Sequence, residues 1–254
     1  MAETTTDDTG GPVTAAVLVI GDEILSGRTK DKNIGYIAEY LTAIGIDLRE
    51  ARVVSDEVEE IADAVNALRH RYTYVFTTGG IGPTHDDITA DGVAHAFGLP
   101  VIHHPRAVEI LTEFLGDRIN EARLRMARMP EGADLIENAV SKAPGWRIGN
   151  VHVMAGIPNV MHGMLDAIGP TLRTGAKMLS ETVEGRGIKE GDIGGPLGEI
   201  QVAHPGVMIG SYPHFDGKRF TTSIVVRSRE QGRLDAALGD VRVLVERLSA
   251  EAED

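Results

Sequence analysis

The sequence contains no cysteine, and this absence excludes several kinds of chemistry. Among its 254 residues there can be no disulfide bond, no thiolate metal ligand and no cysteine nucleophile. No apolar run approaches the roughly 18 residues that a membrane-spanning helix needs, so no membrane partner is expected. The first stretch, MAETTTDDTGGP, lacks the basic flank and the apolar run of a signal peptide, and we expect residues 1–12 to be a disordered tail. Together these features favour a cytoplasmic protein.

Positive charge is also scarce. The chain has 25 Lys and Arg against 38 Asp and Glu, a net charge of −13, so we do not expect nucleic acid as a partner. A small anionic ligand is compatible with this balance, because backbone N–H groups, a helix N-terminus or a divalent cation can offset its charge locally. One basic cluster contains Arg118, Arg123, Arg125 and Arg128. It is either a solvated helix face or a contact to a ligand phosphate or a partner subunit.

The order of apolar patterns predicts a parallel α/β domain over residues 13–178. The predicted strands of this domain are 15–20, 46–54, 72–78 and 150–156, and its main helices are 33–45, 56–71, 90–98 and 159–172. After about Leu179 the pattern changes to a smaller α+β domain, 179–254. Its predicted strands are 181–188, 207–212 and 220–227, and its helices lie near 197–203 and at 231–250.

Three loops follow the carboxyl ends of the first three strands, at 21–27, 55–57 and 79–89. In a parallel sheet these ends lie on one edge, and ligands bind outside them where the strand order reverses. We therefore expect the three loops to share one rim. Each loop brings carboxylates to this rim, namely Asp22 and Glu23, Asp56 and Glu57, and Asp86 and Asp87.

The third loop, GGIGPTHDDIT, has the composition of an anion-binding loop. Gly79, Gly80 and Gly82 can take a positive φ and allow backbone N–H groups to approach an oxyanion, and Pro83 stiffens the loop. We expect Thr89 to cap the following helix, whose N-terminus favours negative charge. The alternative is a tight turn with a capping Asp-x-Thr. The loop is neither a Walker motif, since no Gly-Lys-Ser/Thr closes it, nor a GxGxxG motif.

The stretch TTGGIGPTHDDIT resembles the signature of the molybdopterin-binding family, which includes the MoaB, MogA and gephyrin-type proteins. The double aspartate in GPTHDD is more similar to the amino-terminal domain of the CinA competence/damage-inducible proteins and to the similar domain of eukaryotic FAD synthase. Further stretches agree in order: GDEILSGRTKDKN, VSDE, RMARMPEGADLIENAVSKAPGW, MAGIPNVMHGML and IGSYPHF. The resemblance extends from Val13 to about Arg229, and it implies a three-layer α/β/α fold with a mostly parallel sheet.

The resemblance also implies roles for individual residues. Asp56 and Asp87 match positions that matter for pterin-phosphate chemistry in MogA-like proteins, so they are the candidate catalytic residues and the candidate ligands of a divalent metal. The candidate ligand-binding residues lie on the same rim: Gly21, Asp22, Glu23, Asn33, Thr78, Gly79, Gly80, Gly82, Pro83, Thr84, Asp86 and Thr89.

Three functions are open under this resemblance. In the first, Mg²⁺, Mn²⁺ or Co²⁺ held by the carboxylates supports pyrophosphate hydrolysis of ADP-ribose- or FAD-like nucleotides. In the second, the rim binds molybdopterin or a nucleotide without chemistry, in molybdenum cofactor metabolism. The third is adenylyl transfer to molybdopterin. The resemblance further implies a homo-oligomer. We expect neither the amidase activity of CinA proteins nor the adenylyl transfer of FAD synthase, because both belong to additional domains.

A few polar residues beside the motifs have weaker functional interpretations. Lys30, Lys32 and His85 are candidates for offsetting ligand charge. The adjacent His103 and His104 point in different directions and have no partner at metal-ligand spacing, so we expect no metal there. The Gly-x-Ser-x-Gly pattern of serine hydrolases does not occur.

Overall fold

The computed structural model describes residues 11–215 and 220–252. Contacts divide the chain into two compact units, residues 1–175 and 176–254. The sequence pattern placed this boundary between residues 178 and 179. Of the predicted disordered tail, residues 1–10 lie outside the described residues. Within the described ranges, no helix has both the length and the apolar character needed to cross a membrane.

Strands and helices alternate along the first unit. Its strands are β1 (Thr14–Ile20), β2 (Asp47–Val54), β3 (Tyr74–Thr78), β4 (Val101–His103), β5 (Arg128–Pro130), β6 (Asp134–Ile136), β7 (Gly145–Ile148) and β8 (Val151–Met154). Its α-helices are α1 (Asp22–Leu25), α2 (Asn33–Ala43), α3 (Val58–Arg69), α4 (Thr89–Phe97), α5 (Pro105–Leu115), α6 (Glu121–Leu124) and α7 (Pro158–Ile168).

The main sheet has six strands in the order β2-β1-β3-β8-β7-β6. The first four are parallel, which confirms the predicted sheet. The last two continue it in antiparallel fashion, and the sequence patterns did not predict this extension. A two-residue turn joins β7 to β8, and its first residue, Gly149, has a φ of 55°. Strands β4 and β5 form a separate antiparallel pair.

Helices cover both faces of this sheet. On one face, α3, α4 and α5 pack against the even-numbered residues of β1 from Ala16 to Ile20. On the other face, α2 and α7 pack against the odd-numbered residues from Ala15 to Val19. Side chains alternate along a strand, so a strand buried on both faces is apolar throughout, as β1 is. The fold is therefore the expected three-layer α/β/α arrangement.

The strand order reverses between β1 and β3, since β2 lies on one side of β1 and β3 on the other. A crevice at such a reversal is where open α/β sheets bind ligands, outside the carboxyl ends of the strands. Gly21 and Gly79 directly follow the two strand ends in question. The topology thus places the first and third predicted loops at the crevice.

The second unit is α+β, as predicted. Its strands β9 (Leu179–Arg186), β10 (Val207–Phe215) and β11 (Phe220–Ser228) form an antiparallel sheet in the order β10-β11-β9, and its helices are α8 (Glu190–Ala203) and α9 (Gln231–Glu251). Helix α8 begins at Glu190 rather than near Leu197, although Pro196 and several glycines disfavour a helix there. Ile193 and Leu197 lie buried in the core of the unit, so tertiary packing outweighs local propensity.

Candidate functional site

The three predicted loops lie side by side. The N–H of Gly21 donates to the carbonyl of Val54 at 3.1 Å, and the N–H of Asp22 donates to Oδ2 of Asp56 at 2.9 Å, so the first loop is bonded to the second. The third loop touches the end of β1, because a Cβ built on Gly79 would overlap the carbonyl oxygen of Ile20. The predicted rim therefore exists.

Two glycines of the third loop take the conformation that the sequence predicted. Gly79 has a φ of 104° and Gly80 a φ of 64°, a region that side chains disfavour. Space is also lacking at Gly80, where a Cβ would overlap the hydroxyl of Thr89. Gly82 differs, because its φ is not positive. A Cβ there would lie 2.7 Å from Oδ2 of Asp87, so glycine leaves room for that carboxylate.

Three successive backbone N–H groups in this loop are available to a ligand. In the described part of the chain, those of Gly80, Ile81 and Gly82 have no hydrogen-bond acceptor. The N–H of Gly79 is not available in the same way, since it donates to the carbonyl of Met154 at 3.3 Å. Consecutive free N–H groups form an anion-binding concavity, which supports the interpretation as an anion-binding loop.

The predicted role of Thr89 as a helix cap is wrong. Thr89 is the first residue of α4, Ile88 occupies the cap position, and no side chain caps this helix. Thr89 is instead fully buried, and its hydroxyl donates to the carbonyl of Gly79 at 2.9 Å. Its N–H donates to the carbonyl of Gly80 at 3.1 Å. Thr89 therefore stabilises the conformation of the loop through its hydrogen bonds to the loop backbone.

Asp87 and Arg125 close the other end of the loop. Oδ2 of Asp87 accepts hydrogen bonds from the N–H of Thr84, at 2.7 Å, and from its hydroxyl. Arg125 donates from Nε to the carbonyl of Thr84 at 3.0 Å and from Nη2 to that of Asp87 at 3.3 Å. Neither interpretation of the basic cluster describes Arg125, because its guanidinium binds the loop backbone. Arg128 is paired with Asp91 at 2.6 Å.

Asp56 lies in an unfavourable place for a negative charge. Its partial burial raises the pKa of the carboxyl group, and the nearby charges of Asp22, Glu23 and Asp86 raise it further. The hydrogen bond from the N–H of Asp22 acts in the opposite direction without cancelling the rise. The rim therefore concentrates carboxylates that a bound cation would stabilise.

A cavity of about 680 Å³ lies beside the glycine loop. Its polar lining includes Glu23, Asp87 and the loop from Gly79 to Pro83. Its apolar lining includes Leu111, Phe114 and Leu115 at the end of α5, together with Met126 and Met164. Such a cavity can hold a ligand that has both an anionic and a flat apolar part.

A smaller cavity of about 220 Å³ adjoins the first. Of the predicted site residues, Glu23, Gly79, Gly80, Gly82, Pro83 and Asp87 line the larger cavity. Glu23, Asn33, Thr78 and Gly79 line the smaller one, with Lys30 and Lys32. Six predicted residues line neither: Gly21, Asp22, Asp56, Thr84, Asp86 and Thr89. His85 is exposed.

The predicted metal site does not have a complete set of side-chain ligands. Among the described residues, no group of three or more His, Cys, Asp or Glu side chains is placed to hold a metal ion. Asp56 and Asp87 each use Oδ2 for a backbone hydrogen bond, which leaves Oδ1 for other partners. This donor set fits a cation that completes its coordination with water or ligand oxygens.

Sequence reasoning missed two parts of the site. Gly156 and Pro158, at the start of α7, line both cavities. The sequence could have predicted this, because β8 is a parallel strand and its carboxyl end lies at the same rim. Proline at the first helical position is typical of such a start. The apolar wall from α5 and Met126 had no comparable signal, since an amphipathic helix reveals its buried face but not a cavity beside it.

Two protein families match the chain, one for each unit. Residues 16–174 match the family described as a probable molybdopterin binding domain, and residues 177–253 match the middle domain of FAD synthase. The crystal structure of the CinA protein of Thermoplasma acidophilum, described as of unknown function, is 33% identical. It superimposes with a TM-score of 0.59 over 62% of this chain and 98% of that chain.

Two relatives are longer than this chain. The probable FAD synthase of Caenorhabditis elegans is 30% identical over 91% of this chain and 50% of its own length. The CinA-like protein of Desulfosudis oleivorans is 33% identical over 77% of this chain and 51% of its own length. The chain therefore spans about half of each. Because the family match covers more than half of its length, the chain belongs to the molybdopterin-binding domain family.

Proposed function

We propose that the chain is a divalent-metal-dependent pyrophosphatase of ADP-ribose- or FAD-like nucleotides. One observation carries this proposal: the carboxylates of Glu23 and Asp87 line the same cavity as the free N–H groups of Gly80, Ile81 and Gly82. An anionic ligand bound by the N–H groups would lie next to side chains that prefer hard cations. This is the combination that phosphoanhydride hydrolysis needs.

The polar lining of the cavity suits a pyrophosphate. The free N–H groups of the glycine loop would bind its oxygens, and the N-terminus of α7 adds a favourable dipole at Gly156 and Pro158. Arg125 and Thr89 hold the loop in place before the ligand arrives. A ligand therefore meets donors that are already oriented, which lowers the entropic cost of binding.

The apolar lining suits a flat heterocycle such as adenine, flavin or a pterin. Phe114 lines the cavity and is 48% exposed, so its ring is accessible to a ligand. Leu111 and Met126 extend the same wall. A base that packs there would bury apolar surface on both sides of the contact.

In this proposal Asp56 and Asp87 would each supply a carboxylate ligand to the cation, and water and the nucleotide would supply the others. A bound cation polarises the phosphoanhydride and lowers the pKa of a bound water. In the reaction, the water oxygen forms a bond to one phosphorus, the bridging P–O bond breaks, and ADP-ribose yields AMP and ribose 5-phosphate. Since Mg²⁺ is commonly bound by one or two carboxylates together with substrate phosphates, we expect the metal to bind with the nucleotide rather than before it.

The comparisons support a nucleotide or pterin as the ligand. One relative is named a probable FAD synthase, and the second unit matches the middle domain of that enzyme. The family of the first unit is described by its binding of molybdopterin. This description favours the second candidate function, a non-catalytic carrier of molybdopterin or of a nucleotide in molybdenum cofactor metabolism. Adenylyl transfer to molybdopterin would use the same site.

AMP release from ADP-ribose and FAD with Mg²⁺, Mn²⁺ or Co²⁺ tests the proposal. Asp56→Asn and Asp87→Asn should retain the fold, because the amide oxygen can still accept the hydrogen bonds from Asp22 and Thr84. Turnover should fall roughly 100-fold in each variant. Asp63→Asn is the matched control, since Asp63 is exposed on α3 and has no hydrogen bond or ion pair among the described residues.

The alternatives predict different results. Equal AMP release from the wild type and all three variants would exclude Asp56 and Asp87 as the site. No release from any of them, with tight binding of a pterin or nucleotide, would favour the carrier. AMP incorporation into molybdopterin from ATP would favour adenylyl transfer. We also propose a cytoplasmic homo-oligomer, and light scattering after size-exclusion chromatography tests the oligomer.

A further inference from the structure

The two helices of the second unit, α8 and α9, have a groove on their solvent side. Two shallow cavities, of about 420 and 380 Å³, follow each other along these helices and share Ala203 as a wall residue. Their lining residues on α9 run from Gly232 to Arg247, a stretch of helix that spans about 22 Å. The groove is therefore long enough to hold a helix of roughly four turns.

Apolar side chains form the middle of this groove. Ile200 and Ala203 of α8 line it, as do Val243 and Leu244 of α9. Leu244 is buried in the core of the unit, whereas Val243 is 67% exposed. Helix α9 thus has an inner apolar face that packs in the core and an outer apolar position, Val243, that is open to solvent.

Two oppositely charged side chains of α9 also line the groove. Asp240 and Arg247 are both exposed and lie about 10 Å apart along the helix axis, which is too far for a close ion pair within one chain. Arg247 has no hydrogen bond or ion pair with any other described residue. Oδ2 of Asp240 lies 2.7 Å from Nε2 of His204, so its Oδ1 is left for a partner. The groove therefore offers one acidic and one basic group.

A second copy of α9 has the complementary charges. A two-fold axis that crosses α9 at a right angle makes the two copies antiparallel, and a two-fold interface uses the same patch on both subunits. If this axis passes between Val243 and Leu244, Asp240 of each copy lies opposite Arg247 of the other, because the two residues are equally distant from the axis along the chain. A parallel pair would instead place like charges opposite each other. The charges of the groove therefore fit an antiparallel second copy.

We infer that the groove between α8 and α9 is a homodimer interface, in which α9 of one copy packs antiparallel against α9 of the other. The contact would bury Val243 of both copies and form two ion pairs between Asp240 and Arg247. Glu199, which also lines the groove, adds a second carboxylate beside the incoming arginine. This inference rests on the proposed homo-oligomer and is independent of the proposed nucleotide site.

Val243→Glu tests the centre of the interface, and Val202→Glu is the matched control. Both valines are exposed, but Val202 lines neither cavity of the groove. In analytical ultracentrifugation, Val243→Glu should shift self-association to a protein concentration at least about tenfold higher, because it places an unpaired charge in the contact. Val202→Glu should associate like the wild type. Unchanged association of Val243→Glu would overturn this interface and leave the proposed oligomer standing, whereas a monomeric wild type would overturn both.

A mixing experiment tests the antiparallel pairing of charges. Asp240→Arg and Arg247→Asp each bring like charges together in a dimer, so each variant alone should associate about fivefold more weakly or worse. An equal mixture should associate again, because one variant then has only arginine at the two positions and the other only aspartate. Asp240→Arg also loses its contact to His204, but that contact lies within one chain and mixing does not restore it. Failure of the mixture to associate would overturn the pairing.

Cysteine substitution tests the same contact with little change to the surface. The chain has no cysteine, so a single introduced thiol reports only its own encounters. Close to the two-fold axis, the two copies of Val243→Cys should meet the Cα separation of about 4.4–6.8 Å that a disulfide needs. Mild oxidation should give a covalent dimer of Val243→Cys and little of Val202→Cys. Equal crosslinking of the two variants would show random collision and overturn the interface.

Discussion

Replacing Gly80 with alanine tests whether the glycine loop owes its shape to the contact with Thr89. Gly80 has a φ of 64°, and a Cβ there would overlap the Thr89 hydroxyl, which donates to the carbonyl of Gly79. Gly98 provides the matched control. Its φ is 65°, but a Cβ at this position would have no neighbour within 4 Å. The two alanine variants therefore share a backbone penalty and differ in the overlap.

The expected magnitudes follow from this geometry. A left-handed conformation costs an alanine about 1–2 kcal/mol, and this should be the whole effect of Gly98→Ala. In Gly80→Ala the Thr89 hydroxyl must also move, and its lost hydrogen bond adds about 1 kcal/mol. We expect Gly80→Ala to lower the free energy of unfolding by about 2–3 kcal/mol in total.

Urea unfolding, followed by tryptophan fluorescence, measures these free energies of unfolding. Trp146 is a suitable probe because it is the one tryptophan in the chain and lies buried in the first unit. Thr89→Ala completes a double-mutant cycle. Thr89→Ala removes the hydroxyl that the new Cβ would meet, so Gly80→Ala/Thr89→Ala should be less destabilised than the sum of the single variants by about 1 kcal/mol.

The affinity for ADP-ribose should fall in the variant that loses more stability. Gly80→Ala should weaken the binding of ADP-ribose in calorimetry, and Gly98→Ala should not, because Gly98 lies at the far end of α4. Equal stability and equal affinity in the two variants would refute the reasoning. Additive effects in the cycle would also refute it, since they would show that Gly80 and Thr89 do not interact.

Three further predictions concern other groups. Gly82→Ala would place a Cβ 2.7 Å from Oδ2 of Asp87 and should weaken ADP-ribose binding in calorimetry, and unchanged affinity would show that this carboxylate can move freely. Arg125→Gln should weaken binding about fivefold by freeing the loop carbonyls, whereas Arg118→Gln should have no effect; equal effects would exclude a positioning role. Burial lowers the pKa of His152 to about 4, below its unfolded value near 6.5, so the folded state binds fewer protons between these values. Stability should be constant above about pH 6.5 and fall by roughly 3 kcal/mol on acidification to about pH 4. Urea unfolding should show that His152→Gln loses this slope and that the exposed control His95→Gln keeps it.

Local patterns in the sequence determined much of the first unit. The continuous apolar run of β1 predicts a strand buried on both faces, and the spacing of apolar residues in α2 and α3 predicts helices with one buried face. Three loops at the carboxyl ends of parallel strands predict a shared rim. Glycine permits a positive φ, and Gly79 and Gly80 adopt it, whereas Gly82 in the same loop does not. The strands, the helices and the glycines are each encoded within a few neighbouring residues, and the rim follows from the expected parallel order of the strands.

Contacts between distant residues were decided by the tertiary structure alone. Thr89 was expected to cap a helix, but its hydroxyl bonds Gly79, ten residues away, because packing buries it beneath the loop. Arg125 reaches loop carbonyls 38 and 41 residues away, which no local pattern encodes. The same holds for the apolar lining of the larger cavity. Propensity and periodicity are local properties of the chain, whereas these partners meet only once the sheet order is set, and the chemistry of the site depends on them.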